Sequence, residues 1–277
     1  MVRVQNLTFE YTQHQTKNIR VLDGVHFEIQ PGETIGLMGA NGSGKTTLAR
    51  CLNGLLLPTE GAVWVDELDT RRADEAVEIR RRVGMVFQNP ENQIVSTTVE
   101  REIAFGLENL GVPAAEMHRI VDDMLQKFNL ESLRLQPPHR LSGGEMQRLA
   151  LAAVMAMSPR YLIFDEPTSL LDPPSRKAVI SLILNLNKMQ PALPSPQAIT
   201  TLFITQFPEE VLLFDRLLVL HEGKIVRDDR PEIIFQEVEQ LNKMGLNVPP
   251  EYELNHYLKL ISDGQFSLNT SDFLPIT

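Results

Sequence analysis

The sequence contains very little cysteine: Cys51 is the single one among 277 residues. One cysteine excludes an intrachain disulfide, so the fold must be stabilised by the burial of apolar side chains. A free cysteine usually packs as a small hydrophobic side chain, and we predict this role for Cys51. The low cysteine content also suits a reducing cytosol.

Long apolar runs and an excess of positive charge are missing as well. The apolar run at residues 149–157 is far shorter than the ~20 residues that a membrane-spanning helix needs. The first five residues lack the apolar core of a signal peptide. The net charge of −10 disfavours a general nucleic-acid binder, which needs a basic surface. Any membrane role is therefore expected to come through a partner.

A glycine-rich loop, GANGSGKTT at residues 39–47, is the strongest pattern in the chain. An apolar strand (34–38) precedes it, and a helix is predicted from Thr46 to about Leu57. Glycines let backbone N–H groups face inward, where they and the helix N-terminus bind phosphate. In such a loop Lys45 reaches the β- and γ-phosphates, and the Thr46 hydroxyl holds Mg²⁺. The residues predicted to contact the nucleotide are Gly39, Asn41, Gly42, Ser43, Gly44, Lys45, Thr46 and Thr47.

Two carboxylates, Asp165 and Glu166, follow a run of four apolar residues at 161–164. The run is typical of a buried parallel strand, and ligands bind at the carboxyl ends of such strands. Asp165 is suited to hold Mg²⁺ directly or through water. Glu166 is suited to polarise an attacking water as general base. The alternative, two solvated acids at a strand end, is disfavoured by the glycine loop in the same chain.

A third motif, LSGGEMQR at residues 141–148, comes directly before a predicted helix. Ser142 can cap the N-terminus of that helix. Gly143 and Gly144 allow the backbone to approach a phosphate closely. The alternative is an ordinary capped helix start, although the octet is long and specific.

The order of these motifs resembles that of the ATP-binding subunits of ABC transporters. The glycine loop comes first, followed by Gln88, the LSGGEMQR octet, the Asp-Glu pair and the sequence SLLD at 169–172. The resemblance covers residues 2 to about 228. It implies an α/β fold: a P-loop NTPase cassette with a mixed-sheet core, an N-terminal antiparallel β subdomain and an inserted helical subdomain at about 88–158.

Roles for individual residues are also implied by the resemblance, with ATP and Mg²⁺ as the cofactors. Tyr11 matches the aromatic residue that stacks on adenine. Gln88 matches the glutamine that contacts Mg²⁺ and senses the transmembrane partner. The segment 142–144 matches the one that contacts the γ-phosphate on the other subunit, and Asp172 matches a residue that crosses the dimer interface. In this family two subunits close head to tail over two ATP molecules, and hydrolysis reopens them.

One position departs from the family pattern, which usually has Ile-Thr-His where this chain has Ile204, Thr205 and Gln206. Glutamine can donate a hydrogen bond to the γ-phosphate but cannot become cationic. We expect Gln206 to substitute for the histidine while Glu166 does most of the catalysis. The alternative is a low-turnover regulatory subunit of an asymmetric ATPase pair. A soluble ABC protein of translation or DNA repair is disfavoured by the single cassette and the acidic charge.

Secondary structure outside the motifs is predicted from hydrophobic periodicity. Separate antiparallel strands are expected at 2–4, 7–9 and 25–29. Helices at 98–110, 114–128 and 144–157 are expected to form the inserted subdomain. Residues 229–263 predict a small C-terminal helical extension, and 264–277 a flexible tail. No role is assigned to a proline-rich loop at 190–196.

Two stretches resemble the energy-coupling factor (ECF) branch of the family: residues 86–95, continued at 97–100 and 103–106, and residues 236–250. ECF importers take up vitamins or, in the cobalt and nickel variants, metal ions, and their ATPases dimerise partly through a C-terminal extension. The resemblance implies a second ATPase subunit (the same chain or a paralogue), a transmembrane scaffold protein and a substrate-binding membrane subunit. The chain would lie at the cytoplasmic face of the membrane. Glu91 and Glu102 are predicted to meet arginines of the scaffold.

Overall fold

The computed structural model describes residues 1–12, 18–186 and 198–262. Its strands are β1 (Val2–Thr12), β2 (Asn18–Ile29), β3 (Thr34–Met38), β4 (Glu60–Val65), β5 (Leu68–Asp69), β6 (Val83–Val86), β7 (Tyr161–Asp165), β8 (Thr200–Ile204), β9 (Arg216–His221) and β10 (Lys224–Asp229). Its α-helices are α1 (Lys45–Leu52), α2 (Ala76–Arg82), α3 (Val99–Asn109), α4 (Ala114–Lys127), α5 (Gly143–Ala156), α6 (Pro173–Leu184), α7 (Pro231–Ile234), α8 (Val238–Lys243) and α9 (Pro250–Ile261).

The strands form two sheets, as the predicted α/β fold requires. The larger sheet has the order β10-β9-β3-β8-β7-β6, in which β10 runs antiparallel to β9 and the other pairs are parallel. The smaller sheet, β2-β1-β4-β5, is antiparallel. An apolar core joins the smaller sheet and α1 to one face of the larger sheet. A second core joins the other face to α3–α6 and to the C-terminal helices.

Cys51 lies in the first of these cores and is fully buried. Burial raises the pKa of its thiol to about 12. A thiol with that pKa is almost entirely protonated at neutral pH and is a poor nucleophile. The predicted packing role of this residue is confirmed.

Two predicted element boundaries are wrong. The expected strands at 2–4 and 7–9 are one strand, β1. The alternation of apolar and polar residues breaks between Val4 and Leu7 because the register shifts there, with Asn6 at φ 49°, while the strand continues. The helix after the glycine loop ends at Leu52 and not near Leu57. The chain turns at Gly54, whose φ of 68° lies in the left-handed region. The helix therefore ends before the apolar run of the sequence does.

The carboxyl ends of three neighbouring parallel strands bring the predicted site together. In the larger sheet β8 lies between β3 and β7. Leu37 of β3 and Asp165 of β7 both pair with Ile204, the last residue of β8. The glycine loop, the Asp-Glu pair and Gln206 each begin where one of these strands ends. The sheet therefore delivers all three segments to one edge.

The helices predicted for the inserted subdomain are present as α3, α4 and α5, which pack on one another. The C-terminal helices α7–α9 share an apolar core with the larger sheet. Phe235 and Tyr252, whose ring centroids are 5.7 Å apart, belong to the same buried cluster as Phe214 and Val219. The boundaries at 88–158 and 229–263 remain predictions.

Two expected loops, the proline-rich stretch at 190–196 and the tail at 264–277, fall outside the described residues. Within the described ranges, no helix combines the length and the apolar character that crossing a bilayer requires.

Candidate active site

The glycine loop can adopt its shape only because particular positions lack a side chain. Gly42 and Gly44 have φ values of 80° and 108°, in the left-handed region that favours glycine. A Cβ at Gly39 would overlap the carbonyl oxygen of Leu220 and the hydroxyl of Ser43. Gly44 is the N-cap of α1, so the N–H groups at the start of that helix face the loop.

Lys45 lies inside this loop and is 6% exposed. Its Nζ donates hydrogen bonds to the carbonyl oxygens of Gly39 (2.8 Å) and Ala40 (3.2 Å). The same ammonium group is 3.6 Å from Oε1 of Glu166. The ammonium group therefore lies where a phosphate bound on the loop would offer it charged oxygens, which are stronger hydrogen-bond acceptors than these carbonyl oxygens.

A buried hydroxyl in the loop indicates that a phosphate fits there. Oγ of Ser43 is buried and has no hydrogen-bond partner among the described residues. A buried polar atom without a partner is costly, and a phosphate oxygen would satisfy it. With the loop N–H groups and Lys45, this hydroxyl gives the site the donors that a triphosphate requires.

Tyr11, predicted to stack on adenine, lies at the end of β1 next to the start of α1. Its hydroxyl is 3.3 Å from Oγ1 of Thr47, and its ring packs edge-on against Phe9 with centroids 4.9 Å apart. The residue is 39% exposed. The ring is therefore fixed beside the loop with area left to contact a base, and stacking on adenine stays a prediction.

The acidic pair is buried at the end of β7, with Asp165 4% and Glu166 8% exposed. Oδ1 of Asp165 accepts a hydrogen bond from the Thr46 hydroxyl at 3.0 Å. Glu166 has a φ of 50°, a left-handed conformation that a non-glycine residue adopts at a cost of ~1–3 kcal/mol. Such strain is common at functional sites, where the surrounding structure enforces it.

Both predicted glutamines point their amides at Glu166. Nε2 of Gln206 donates to Oε2 of Glu166 at 2.7 Å, and Nε2 of Gln88 donates to the same oxygen at 3.2 Å. Gln88 also donates to the hydroxyl of Ser169 at 3.3 Å. The structure thus brings Gln206 and Gln88 together on one carboxylate oxygen of Glu166, with the Lys45 ammonium near the other.

The predicted Mg²⁺ ligands offer a hydroxyl at Thr46, a carboxylate at Asp165 and an amide at Gln88. These are oxygen donors of the kind that a hard divalent cation prefers, and Mg²⁺ usually takes its remaining ligands from substrate phosphates and water. Among residues 1–12, 18–186 and 198–262, no cluster of three or more His, Cys, Asp or Glu side chains could hold a metal. The donor set therefore fits Mg²⁺ delivered together with a nucleotide.

Burial raises the pKa of Asp165 above its usual range; the hydrogen bond from Thr46 opposes this shift, and the charge of Glu166 adds to it. A carboxyl with a raised folded-state pKa costs no stability when it is protonated. The folded state loses stability as the pH rises through that pKa and the buried carboxyl ionises, and the loss is complete above it. Without nucleotide, Asp165→Asn protein is therefore expected to unfold at a higher temperature than the unaltered chain at pH 8.

Thermal unfolding measured between pH 4 and pH 8 tests this expectation. The difference between the two proteins should shrink as the pH is lowered and Asp165 becomes protonated. Addition of Mg·ATP should stabilise the unaltered chain more than the variant, since the variant has lost a metal ligand. A variant that is less stable than the unaltered chain at pH 8 would contradict the assigned cost.

The LSGGEMQR octet and Asp172 lie at the starts of two contacting helices, α5 and α6. Ser142 caps α5 in a reciprocal pair with Glu145, and both Ser142 and Gly143 are exposed. Gly144 is buried against Ser175 of α6, the helix that exposed Asp172 begins. In the part of the chain described, the hydroxyl and N–H of Ser142 bond to Glu145, and its carbonyl accepts from the N–H of Met146 at 2.9 Å; none of these bonds goes to the glycine loop. Contact with a phosphate on another subunit stays a prediction.

The scaffold contact predicted at Glu102 is wrong. Glu102 is 5% exposed, and its Oε2 accepts hydrogen bonds from the backbone N–H groups of Val95 (3.0 Å) and Ser96 (2.7 Å). An acid near the start of α3 that fixes the preceding loop cannot meet a partner. Glu91 is exposed on a short 3₁₀ turn and remains a candidate contact.

Two features of the site escaped the sequence analysis. A buried carboxylate, Glu210, hydrogen-bonds Thr168 and Thr205 on either side of the Glu166–Gln206 pair. The C-terminal extension also reaches the site, because residues 245–248 line a cavity of about 640 Å³ together with residues 39–41 and Gln206. The sequence shows Glu210 as one of two adjacent acids, and nothing in their spacing separates the buried one from the exposed one.

The chain is similar to known proteins over most of its length. The family model described as "ABC transporter" matches residues 22–169. The chain is 49% identical to the cobalt import ATP-binding protein CbiO of Syntrophus aciditrophicus, over 94% of this chain and 89% of that protein. It is 45% identical to the energy-coupling factor transporter ATP-binding protein EcfA1 of Caldanaerobacter subterraneus subsp. tengcongensis, over 94% and 91%.

Solved structures with the same fold include CbiO1 from Clostridium perfringens, described as part of the ABC transporter complex CbiONQ. The TM-score is 0.76 at 31% identity, over 91% of this chain and 97% of that one. The ATP-binding cassette MJ0796, solved as a dimer with ADP and phosphate, has a TM-score of 0.73 at 28% identity, over 83% and 99%. Both structures therefore match most of this chain.

Proposed function

This chain belongs to the ATP-binding subunit family of ABC transporters, and from that premise we propose that it is the ATPase subunit of an ECF-type importer. Mg·ATP binding, head-to-tail dimerisation and hydrolysis then drive the uptake of a vitamin or metal ion through membrane partners. The observation that carries the proposal is identity of 45–49% to EcfA1 and CbiO proteins over 94% of the chain. That span includes most of the C-terminal extension.

The proposed reaction uses the contacts at the strand ends. The glycine loop and Lys45 bind the β- and γ-phosphates. Thr46, Gln88 and Asp165 would hold Mg²⁺, which would neutralise charge on the phosphates when bound. Glu166 accepts a proton from the water that attacks the γ-phosphorus, while the bond to the bridging oxygen breaks and leaves ADP. The Gln206 amide, 2.7 Å from Glu166, holds the carboxylate in place.

A second ATPase subunit, either the same chain or a paralogue, completes the proposed site. Its exposed Ser142 and Gly143 supply N–H and hydroxyl donors to the γ-phosphate, and its Asp172 lies at the interface. The exposure of these residues supports this arrangement. Because each subunit contributes to the other's pocket, ATP stabilises the closed pair and hydrolysis weakens it.

The low-turnover alternative is not favoured. It depended on Gln206 in place of histidine, yet Gln206 donates the shortest hydrogen bond to Glu166. Two relatives at 49% and 45% identity are named a cobalt import ATP-binding protein and an energy-coupling factor transporter ATP-binding protein. We therefore assign the chain the active role.

Membrane association is proposed to run through a scaffold protein, with cargo selected by a separate membrane subunit. Tagged chain purified from detergent-solubilised native membranes is expected to bring both proteins with it. Glu91→Lys should abolish this co-purification, because it places a cation opposite scaffold arginines, while ATP binding by the soluble chain stays intact.

Glu131→Lys is the matched control, since Glu131 is another exposed acid outside the site and should leave co-purification unchanged. Mass spectrometry of the purified material identifies the partners. Retained co-purification of the Glu91→Lys protein would remove Glu91 from the interface. An unaltered chain that brings no membrane protein would contradict the proposed importer role itself.

A further inference from the structure

Glu210 is a buried acid to which the proposed reaction gives no role. It ends a 3₁₀ turn, Pro208–Glu210, that follows Gln206, and its side chain is 3% exposed. Burial raises the pKa of this carboxyl, although hydroxyl donors oppose the shift. A buried acid of this kind is costly to keep unless its geometry is needed.

The carboxylate bridges two chain segments. Oε1 accepts a hydrogen bond from the Thr168 hydroxyl at 2.7 Å, and Oε2 accepts one from the Thr205 hydroxyl. Both threonines are almost completely buried. The Thr205 hydroxyl also accepts a hydrogen bond from the N–H of Phe207 at 3.0 Å, so its orientation is fixed from two sides.

These two threonines flank the catalytic pair. Thr168 lies two residues after Glu166, and Thr205 lies directly before Gln206. The backbone pairing of β7 with β8 ends in a hydrogen bond from Glu166 N–H to the Ile204 carbonyl (3.0 Å). Beyond that hydrogen bond, the Glu210 carboxylate connects the segment after β7 to the segment after β8 through Thr168 and Thr205.

Arg176 of α6 supports the bridge without replacing it. Its Nε is 3.8 Å from Oε1 of Glu210, beyond hydrogen-bond distance, and it has no hydrogen-bond partner in the described ranges. The guanidinium lies 3.6 Å from the centre of the Phe207 ring. The two hydroxyls are therefore the direct hydrogen-bond partners of Glu210, and the arginine supplies a nearby positive charge.

We propose that Glu210 is a positioning residue that holds Thr168 and Thr205 together so that the Gln206 amide reaches Oε2 of Glu166. The proposal rests on the ATPase function proposed above. Glu210 does not contact nucleotide; it acts through the segments that carry the catalytic groups. Loss of the bridge lets the Gln206 segment move away from Glu166, which misplaces the general base without altering the phosphate-binding loop.

The test measures kcat, KM and ATP affinity of the full chain. Glu210→Ala is expected to lower kcat by about 10- to 100-fold, the range for a misplaced catalytic group, and to leave ATP affinity unchanged within about twofold. Glu131→Ala is the matched control, because it makes the same truncation at an exposed acid outside the site and should retain full kcat. An unchanged kcat in folded Glu210→Ala protein overturns the proposal.

A double-mutant cycle with Gln206→Ala separates positioning from general destabilisation. If Glu210 acts through Gln206, the double variant should be no slower than Gln206→Ala alone within about threefold. Losses that multiply would overturn the proposal. If Glu210→Ala does not fold by circular dichroism, Glu210→Gln replaces it in the cycle. This variant removes one of the two acceptors, so a loss of about three- to tenfold is expected.

Failure of this inference is distinguishable from failure of the proposed function. An unaltered chain that does not hydrolyse ATP contradicts the ATPase function. An unaltered chain that hydrolyses ATP, combined with Glu210 variants of equal kcat, contradicts the positioning role alone.

Discussion

Glu166→Gln protein is expected to bind Mg·ATP at least as tightly as the unaltered chain and to hydrolyse it at least about 100-fold more slowly, the usual loss when a general base is removed. Glutamine has the same shape, so the contacts from Gln206 and Gln88 can be kept through its amide oxygen. It cannot accept the proton of the attacking water. Removing the carboxylate charge near Lys45 also removes its repulsion of the γ-phosphate.

Phosphate release in single-turnover conditions and binding by calorimetry measure the two quantities separately. Glu222→Gln is the matched control, because Glu222 is a glutamate with a φ of 46° on the exposed hairpin between β9 and β10. It makes the same chemical change in the same backbone conformation outside the site. If Glu166→Gln hydrolyses ATP at the unaltered rate, Glu166 is not the base.

Lys45→Ala protein is expected to lose ATP affinity by about 10- to 100-fold, which corresponds to the ~1.5–3 kcal/mol of a hydrogen bond to a charged group. In the structure the ammonium is already inside the loop, bonded to Gly39 and Ala40. The truncation therefore removes the one buried lysine charge described next to the phosphate site and leaves Glu166 without its nearest cation.

Binding of a fluorescent ATP analogue, with Mg²⁺ present, gives the affinity. Lys177→Ala serves as the control, because Lys177 is an exposed lysine on α6 and changes the net charge by the same amount. Equal losses in both variants would mean that long-range charge, and not the loop contact, sets the affinity. No loss in Lys45→Ala would contradict the assigned phosphate site.

The motifs that lie at strand ends could be predicted from the sequence because their chemistry is local. In a glycine loop between a strand and a helix, the backbone N–H groups face inward and can bind phosphate. The apolar runs before Asp165 and Gln206 indicate buried strands. Parallel pairing then brings these segments to one edge, as Leu37 and Asp165 opposite Ile204 show. Local pattern and sheet topology together account for this part of the site.

Features that depend on tertiary contact could not be predicted. Glu102 and Glu91 are both acids in the same subdomain, and only tertiary contact determines that the first is buried and accepts hydrogen bonds from the N–H groups of Val95 and Ser96. Glu210 bonds to Thr168, 42 positions away in the chain. The early end of α1 follows from a left-handed glycine, which a purely hydrophobic periodicity does not register.

The C-terminal helices pack into the same apolar core as the cassette, and they line a cavity beside the glycine loop. Phe235 packs in the cluster that holds Phe214, and residues 245–248 face the glycine loop across a common cavity. The two parts are therefore not interchangeable modules. In a chimera that joins the extension of one paralogue to the cassette of another, any mismatched side chains would lie in this shared core and in the cavity beside the glycine loop.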